Sequence, residues 1–300
     1  MRYLFQKKFR CFLVVANSEV FCFFVWSNHK VKPLYLSNIE KLYQLSTSHK
    51  VPSMQQDHAD PWIGLAEGDS IEAVKVLRAR KPDAQVAVLN FANPESVTGD
   101  SIWRGSRHQE ESLCVRTTLY ETLDKERATN YPIRNDQLIY TEDVTCFSLV
   151  PGKPFDGSKT FKFDVITCAA LKNPGLTQPT ATQPVRYANA QEEQIMREKI
   201  RMILRVAIQH KVDAVVLGAF GCGVFHHPPH LIAEMIRDGL LPGPNSDHIR
   251  ANGISNVIIP ILDSTPGPEN WSAFQEVFRD VPGACEIDTL DWIKGMFGIP

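Results

Sequence analysis

Excess charge, paired cysteines and internal repeats are all missing from this 300-residue chain. The net charge of -2 excludes a protein that coats nucleic acid through bulk positive charge, and we expect no direct nucleic-acid partner. The seven cysteines are scattered, and no CxxC pair occurs. Their odd number favours reduced thiols, so we expect a cytoplasmic or nuclear protein.

An apolar segment long enough to cross a bilayer is missing as well. The N-terminus MRYLFQKKFRCFLVVA is basic and then apolar, as signal peptides are, but Asn17, Ser18 and Glu19 interrupt the apolar run. We therefore expect no membrane span. We interpret residues 1–50 as an N-terminal aromatic extension of unknown role or a buried strand pair, and secretion is the weaker alternative.

What the chain does contain is an alternation of apolar strands with amphipathic helices. Such an alternation predicts the α/β class, with a mostly parallel sheet covered by helices on both faces. Strands are predicted at 85–92, 137–147, 163–171, 212–220 and 256–262, and helices at 69–80, 109–124, 189–210, 230–240 and 271–280. Ligands of such sheets bind beyond the carboxyl ends of the strands. The loops 93–108 and 218–227 follow two of these strands, so we expect them to converge on one cleft.

The second of these loops, GAFGCGVF at 218–225, is rich in glycine and leads into a helix. Glycines there let main-chain N–H groups approach a phosphate closely, and a helix N-terminus adds a favourable dipole. A tight turn is the alternative, but three glycines within six residues exceed what a turn needs. The spacing is GxxGxG rather than GxGxxG, which argues against a nicotinamide dinucleotide site.

The first loop leads to the tripeptide Gln109-Glu110-Glu111. An acidic first helical turn would explain it, since each charge there contributes about 0.3–1 kcal/mol. The same tripeptide recurs at 191–193, without a glycine-containing loop after a buried strand. We assign that second copy to a solvated helix surface and expect the first to face the cleft. Ser106 has the spacing of an N-cap for this helix.

Five segments in order, NFANP, GDSIWRGSRHQEESLC, LIYTEDV, FDVITCAA and LGAFGCGVF, resemble the microbial type of poly(ADP-ribose) glycohydrolase, a macrodomain family. The resemblance runs from about residue 86 to residue 263. It implies a three-layer α/β/α macrodomain with a mostly parallel mixed sheet. We place this domain at 51–283, followed by a C-terminal tail at 284–300.

The resemblance also implies the chemistry and the residues of a site. An O-glycosidic ADP-ribosyl linkage would be hydrolysed with Glu111 as acid/base, while Glu110 positions the ribose. The implied partner is ADP-ribose or an ADP-ribosylated protein, and neither a cofactor nor a metal is expected. The predicted ligand-binding residues are Asn93, Gly99, Asp100, Ser101, Gln109, Gly221, Cys222, Gly223, Val224 and Phe225.

One departure from the family keeps a second hypothesis open. The family carries three consecutive glycines where this chain has Gly99-Asp100-Ser101. A carboxylate near a diphosphate is repulsive, by about 4 kcal/mol at 4 Å for an effective dielectric constant of 20. Asp100 therefore points away, binds a cation or has a new role, and Trp103 and Arg104 could offset its charge. The alternative function is a non-catalytic ADP-ribose reader.

Two further patterns rank lower. A zinc site is conceivable, but its spacing does not form the clean ligand pairs of tetrahedral sites. Its four candidate ligands are Cys222, His226, His227 and His230. Asp143 is either a turn residue or part of an adenine pocket.

Overall fold

A computed structural model describes residues 60–99, 108–147, 160–180, 184–241, 253–262 and 269–287 with their side chains. Asp100 and the strands at 10–16, 19–25 and 31–35 are described as backbone only. The predicted ligand residue Ser101 lies outside these ranges, as do Trp103, Arg104 and Ser106.

The strands are β1 (Arg10–Ala16), β2 (Glu19–Val25), β3 (Val31–Tyr35), β4 (Trp62–Glu67), β5 (Val86–Phe91), β6 (Gln137–Cys146), β7 (Phe161–Cys168), β8 (Ala214–Val216), β9 (Asn256–Ile261) and β10 (Ala284–Ile287). The helices are α1 (Ser70–Arg80), α2 (Gln109–Arg116), α3 (Leu119–Lys125), α4 (Arg127–Asn130), α5 (Ala190–Gln209), α6 (Pro229–Leu240) and α7 (Glu269–Phe278). A short 3₁₀ turn covers Val97–Asp100.

Within the described ranges, eight strands form one sheet in the order β10-β4-β9-β8-β5-β7-β6-β3. All neighbours from β10 to β7 are parallel, whereas β6 is antiparallel to both β7 and β3. The predicted mostly parallel mixed sheet is therefore confirmed. The strands β1 and β2 pair with each other as a separate antiparallel ribbon.

Helices cover both faces of the sheet, because successive strand residues point to opposite sides. On one face Leu89 belongs to the core that α5, α6 and α7 cover, for example through Ile200 and Ile232. On the other face Val88 belongs to the core under α1, α2 and α3. This arrangement is the predicted three-layer α/β/α architecture.

The sheet extends beyond the predicted macrodomain boundaries at residues 51 and 283. The strand β3 pairs with β6 through Val31–Tyr35, and β10 pairs with β4 through Ala284–Ile287. Part of the assumed N-terminal extension and part of the assumed tail therefore belong to the sheet. The polar, turn-rich sequence at 46–61 suggests a linker or a peripheral arm, and it lies outside the described residues except for its last two positions.

The helix predicted at 109–124 is two helices in the structure. Thr117 takes an extended conformation, with φ -140° and ψ 173°. Its hydroxyl donates to the Leu113 carbonyl at 2.8 Å and accepts from the Leu119 amide at 3.1 Å. A threonine hydroxyl that competes for helix hydrogen bonds in this way explains the break.

The helix α2 starts where it was predicted to start, but its N-cap is not the predicted Ser106. The helix begins at Gln109, so His108 occupies the N-cap position, and its side chain makes no capping hydrogen bond. None of the helices in the described ranges has the length and hydropathy needed to cross a bilayer.

Candidate active site

The site begins at the carboxyl end of β5, where Asn90 is completely buried. Its side-chain amide donates to Glu110 Oε1 at 3.1 Å and lies 3.3 Å from Thr167 Oγ1 on β7. Burying an amide costs free energy unless it is hydrogen-bonded, and Glu110 provides an acceptor for the NH2 group, while the buried Oδ1 of Asn90 has no partner among the described residues. Asn90 was not singled out in the sequence, although a polar residue within the apolar run VAVLNFA is a usable signal.

Gln109 fastens the start of α2 to the same strand. Its Oε1 accepts from the Phe91 amide at 2.9 Å, and its Nε2 donates to the Leu89 carbonyl at 2.7 Å and to Ser70 Oγ at 3.1 Å. Both amide hydrogens are thus donated to the protein. Gln109, predicted as a ligand contact, therefore anchors the triplet to the sheet.

These bonds of Gln109 take the place of the strand pairing that ends on the β8 side of β5. The β5–β8 pairing stops at the Val88–Val216 pair. On the β7 side the ladder continues, because the Ala92 amide still donates to the Cys168 carbonyl at 3.0 Å. Adjacent residues of a parallel strand bond to opposite neighbours, so the Leu89 and Phe91 groups face the side that β8 has left. The side chain of Gln109 occupies that position.

Glu110 holds the β5 loop, which we define as residues 92–100. Its Oε2 accepts from the amides of Asn93 at 2.9 Å and Thr98 at 3.1 Å. Since Oε1 accepts from Asn90, both carboxyl oxygens are bound by the protein itself. Burial raises the pKa of Glu110 to about 8, against the opposing effect of these N–H donors.

Gly99 is required by the local geometry of the β5 loop. Its φ is +56°, and a Cβ there would lie 2.5 Å from Asn93 Nδ2. The preceding Thr98 also has a positive φ, of 57°. Asn93 Oδ1 accepts from the Glu95 amide at 2.9 Å, which closes the first turn of the loop. The predicted residues Asn93 and Gly99 are therefore in contact, and Asp100 follows directly in the backbone.

Glu111, the predicted acid/base, lies beside an exposed residue. Its Oε2 is 3.7 Å from Nδ1 of His108, and the two side chains are 6% and 63% exposed respectively. Glu110 therefore faces the strand and the loop amides, while Glu111 lies next to a group at the surface. The sequence did not single out His108.

The glycine loop, which we define as Gly221–Phe225, follows β8 at the same edge of the sheet. Phe91 connects the two halves of the site: its ring centroid lies 5.8 Å from that of Phe220. A Cβ on Gly218 would lie 2.8 Å from Phe91 Cζ, so the two chains are in close contact. The loops that were predicted to converge therefore leave neighbouring parallel strands side by side.

The two glycines of the glycine loop differ in their surroundings. Gly221 has φ +80°, and a Cβ there would lie 2.6 Å from Cδ2 of His227. A Cβ on Gly223 would meet nothing within 4 Å. The fold therefore explains the first glycine but not the second. Of the other loop residues, Val224 is 56% exposed, whereas Cys222 and Phe225 pack partly against the core.

Two weaker sequence hypotheses can now be judged. In the part of the chain that the structure describes, no three side chains of His, Cys, Asp or Glu are placed to hold a metal ion. Asp143 lies in a β-bulge with φ 59°, and its amide donates to Asp164 near the amino end of β7. That is the edge opposite the site, so the assignment of Asp143 to an adenine pocket is wrong.

A three-layer α/β/α domain with a glycine loop and a buried glutamate pair at the carboxyl edge of its sheet has the organisation of a macrodomain. Residues 29–148 match the family model described as "Microbial-type PARG, catalytic domain". PARG is poly(ADP-ribose) glycohydrolase, so the match agrees with the family resemblance seen in the sequence over residues 86–148, and it also includes residues 29–85, which that resemblance left out. Among curated proteins no significant match is found.

Solved structures extend the likeness in fold past residue 148. The poly(ADP-ribose) glycohydrolase of Thermomonospora curvata is 23% identical, with a TM-score of 0.65 over 83% of this chain and 85% of that chain. The enzyme of Deinococcus radiodurans in complex with ADP-ribose is 22% identical, with a TM-score of 0.62 over 84% of this chain and 95% of that chain. The Thermomonospora enzyme bound to the inhibitor ADP-HPD gives 0.63 at 23% identity, over 82% of this chain and 84% of that chain.

Proposed function

We propose that this protein is an ADP-ribose glycohydrolase that hydrolyses an O-glycosidic ADP-ribosyl linkage. The ligand would lie across the carboxyl edge of the sheet, with its diphosphate on the glycine loop and the adjoining ribose at Glu111. The family match over 29–148 and the shared fold support this proposal.

The observation that carries the proposal is the open space at Gly223. Apart from Gly223 itself and its two chain neighbours, no atom of the described residues lies within 4 Å of a Cβ built there, so packing does not require glycine at this position. A ligand that approaches the main chain closely does require it. Main-chain amides beside a helix start suit an anionic diphosphate.

The contacts of the two glutamates support a division of roles between them. Both oxygens of Glu110 accept N–H groups of the protein, so Glu110 positions the β5 loop. Glu111 is the carboxyl group that can serve the reaction. It would protonate the leaving oxygen as an acid and then, as a carboxylate, activate the attacking water.

A reader that binds ADP-ribose without hydrolysis is the second candidate. It is favoured by Asp100-Ser101, which follow Gly99 where the family has glycines. Calorimetry with ADP-ribose, run beside a hydrolysis assay, separates the two functions. Binding with release of product supports the enzyme, and binding without product for any substrate supports the reader. The panel contains poly(ADP-ribose) and peptides ADP-ribosylated on arginine, serine and glutamate.

The substitution Gly223→Ala tests the placement of the diphosphate. We expect the free energy of unfolding to change by less than about 0.5 kcal/mol, because among the described residues the new methyl group meets no atom beyond its chain neighbours. The dissociation constant of ADP-ribose should rise about tenfold or more. Gly221→Ala is the contrasting variant and should destabilise the fold by about 1–3 kcal/mol. Unchanged ADP-ribose affinity in Gly223→Ala contradicts the close main-chain approach.

A further inference from the structure

A buried histidine lies directly behind the glycine loop. His227 is 1% exposed, and both of its ring nitrogens have partners. Nε2 lies 2.8 Å from the Leu171 carbonyl, and Nδ1 lies 2.6 Å from the Tyr187 hydroxyl. A carbonyl oxygen only accepts, so Nε2 carries the proton and Nδ1 accepts from Tyr187. Burial lowers the pKa of His227, which agrees with this neutral ring.

The glycine loop is folded around this ring. The Gly221 backbone passes so close that a Cβ there would lie 2.6 Å from His227 Cδ2. The His227 amide donates to the Gly221 carbonyl at 3.1 Å, and the His226 amide donates to the Gly223 carbonyl at 2.9 Å. The position of the ring therefore determines the path of the main chain that would receive the diphosphate.

On its other side the ring is held by the segment after β7, which we define as residues 171–180 and 184–188. Tyr187 is 7% exposed and forms a β-bridge with Leu176. Two backbone bonds brace this bridge, from Thr177 to Arg186 at 2.9 Å and from Ala188 to Gly175 at 2.8 Å. The Tyr187 hydroxyl is thus fixed before it meets the histidine.

The same segment also reaches the end of the glycine loop. The Asn173 amide donates to the Phe225 carbonyl at 3.2 Å. Together with the two bonds of the His227 ring, this contact joins the loop to the segment at three points. Neither ring nitrogen is left to contact a ligand, so any effect of the ring on binding acts through the loop.

We propose that Tyr187 and His227 are positioning residues, which hold the glycine loop in the conformation that receives the diphosphate. This inference rests on the proposed function. It assigns the affinity for ADP-ribose to Tyr187 and His227 and leaves the rate of bond cleavage to Glu111.

The test is Tyr187→Phe, which keeps the ring and removes only the hydroxyl. The buried Nδ1 of His227 then has no donor, and the loop loses its fixed position. We expect the dissociation constant of ADP-ribose to rise about 5- to 30-fold, while kcat changes by less than about threefold. Exchange of the His226 and His227 amides with solvent deuterium should become faster.

Tyr140→Phe is the matched control. The Tyr140 hydroxyl is buried, bonds to Asp164 at 2.6 Å, and belongs to a ring stacked on His210. It lies toward the opposite edge of the sheet. The control should lose stability to a similar degree, with no change in ADP-ribose affinity or in the exchange of the two loop amides.

Two outcomes overturn the inference: affinity unchanged in folded Tyr187→Phe, or loop amides that exchange as slowly as in the wild type. If Tyr187→Phe does not fold, His227→Gln replaces it, because its amide can still donate to Leu171 and loses only the tyrosine contact. If wild-type protein does not bind ADP-ribose, the proposed function fails. Amide exchange and the ¹⁵N shifts of the His227 ring then decide on the positioning role alone.

Discussion

The tripeptide Gln-Glu-Glu lies in the first turn of two helices, at 109–111 in α2 and at 191–193 in α5. In the first copy Glu110 and Glu111 are 3% and 4% exposed. The second copy lies at the surface, as predicted, with Glu193 paired to Arg197 at 2.9 Å across one helical turn. The same three residues are thus a buried site in one helix and a solvated turn in the other.

The difference comes from what the glutamates of each copy contact. Before α2 the chain leaves a strand in the middle of the sheet, so the glutamates meet Asn90 and the loop amides at its carboxyl edge. Before α5 the chain also leaves a central strand, β7, but the glutamates of the second copy contact Gly175 and Arg197 and not the strand. There Glu192 still accepts a loop amide, from Gly175 at 2.9 Å, but in an exposed position. A glutamate that binds a loop amide is therefore common to both copies, and burial beside the sheet distinguishes the first.

The largest expected difference is in kcat, between variants of the third residues of the two copies, Glu111 and Glu193. We expect Glu111→Gln to lower kcat on the cleaved ADP-ribosylated substrate by at least about 100-fold, since it removes the acid/base group. Glu193→Gln is the matched control and should leave kcat within about twofold of wild type. Steady-state kinetics measures both. Wild-type turnover in Glu111→Gln contradicts the catalytic assignment.

The middle residues should differ in how they couple stability to pH. The pKa of Glu110 rises from 4.5 to about 8 on folding, chiefly because the carboxyl is buried. The folded state therefore holds this proton more tightly, which stabilises the protein below about pH 4.5. That stabilisation is lost as the pH rises through about 8. As the pH rises from about 4.5 to about 8, the free energy of unfolding of the wild type should fall by up to about 4 kcal/mol more than that of Glu110→Gln.

Urea unfolding at pH values from about 5 to about 9 measures this loss, with Glu192→Gln as the control that should follow the wild type. If the free energy of unfolding depends on pH in the same way in the wild type and in Glu110→Gln, the Glu110 carboxyl group does not change its pKa on folding.

The smallest effect should separate the first residues of the two copies, Gln109 and Gln191, and it concerns the free energy of unfolding. Gln109→Ala removes three hydrogen bonds and leaves the Phe91 amide and the Leu89 carbonyl without that partner. We expect a loss of about 2 kcal/mol in the free energy of unfolding. Gln191 is exposed, so Gln191→Ala should change it by less than about 0.5 kcal/mol. Equal losses in the two variants would mean that the bonds to β5 contribute nothing net.

Hydrophobic patterning was sufficient to predict five strands of the sheet and the helices on both of its faces, but it missed β4, which lies between β10 and β9. The run at 85–92 became β5 at Val86–Phe91, and the long amphipathic pattern at 189–210 became α5. The edge strands were not predicted because their residues carry little pattern: β10 is only ACEI, and its two middle residues are exposed. The break after Arg116 also escaped, since it depends on one hydroxyl of Thr117 that bonds to Leu113.

The candidate site was predictable in its chemistry but not in its supports. Adjacent carboxylates and closely spaced glycines indicate a function by their residue types. Gln109 bonds to Phe91, which lies 18 positions away, and Tyr187 bonds to His227, which lies 40 positions away. No local sequence pattern predicts either contact. Such contacts arise only when strands that are distant along the chain have been placed side by side.

One consequence follows from the way Gln109 substitutes for a strand beside β5. A further strand paired to this part of β5 would occupy the position that the Gln109 side chain takes. A single side chain performs the same pairing within the width of one amide. The first turn of α2 can therefore lie against the end of β5, which brings its two carboxyl groups to the carboxyl edge of the sheet.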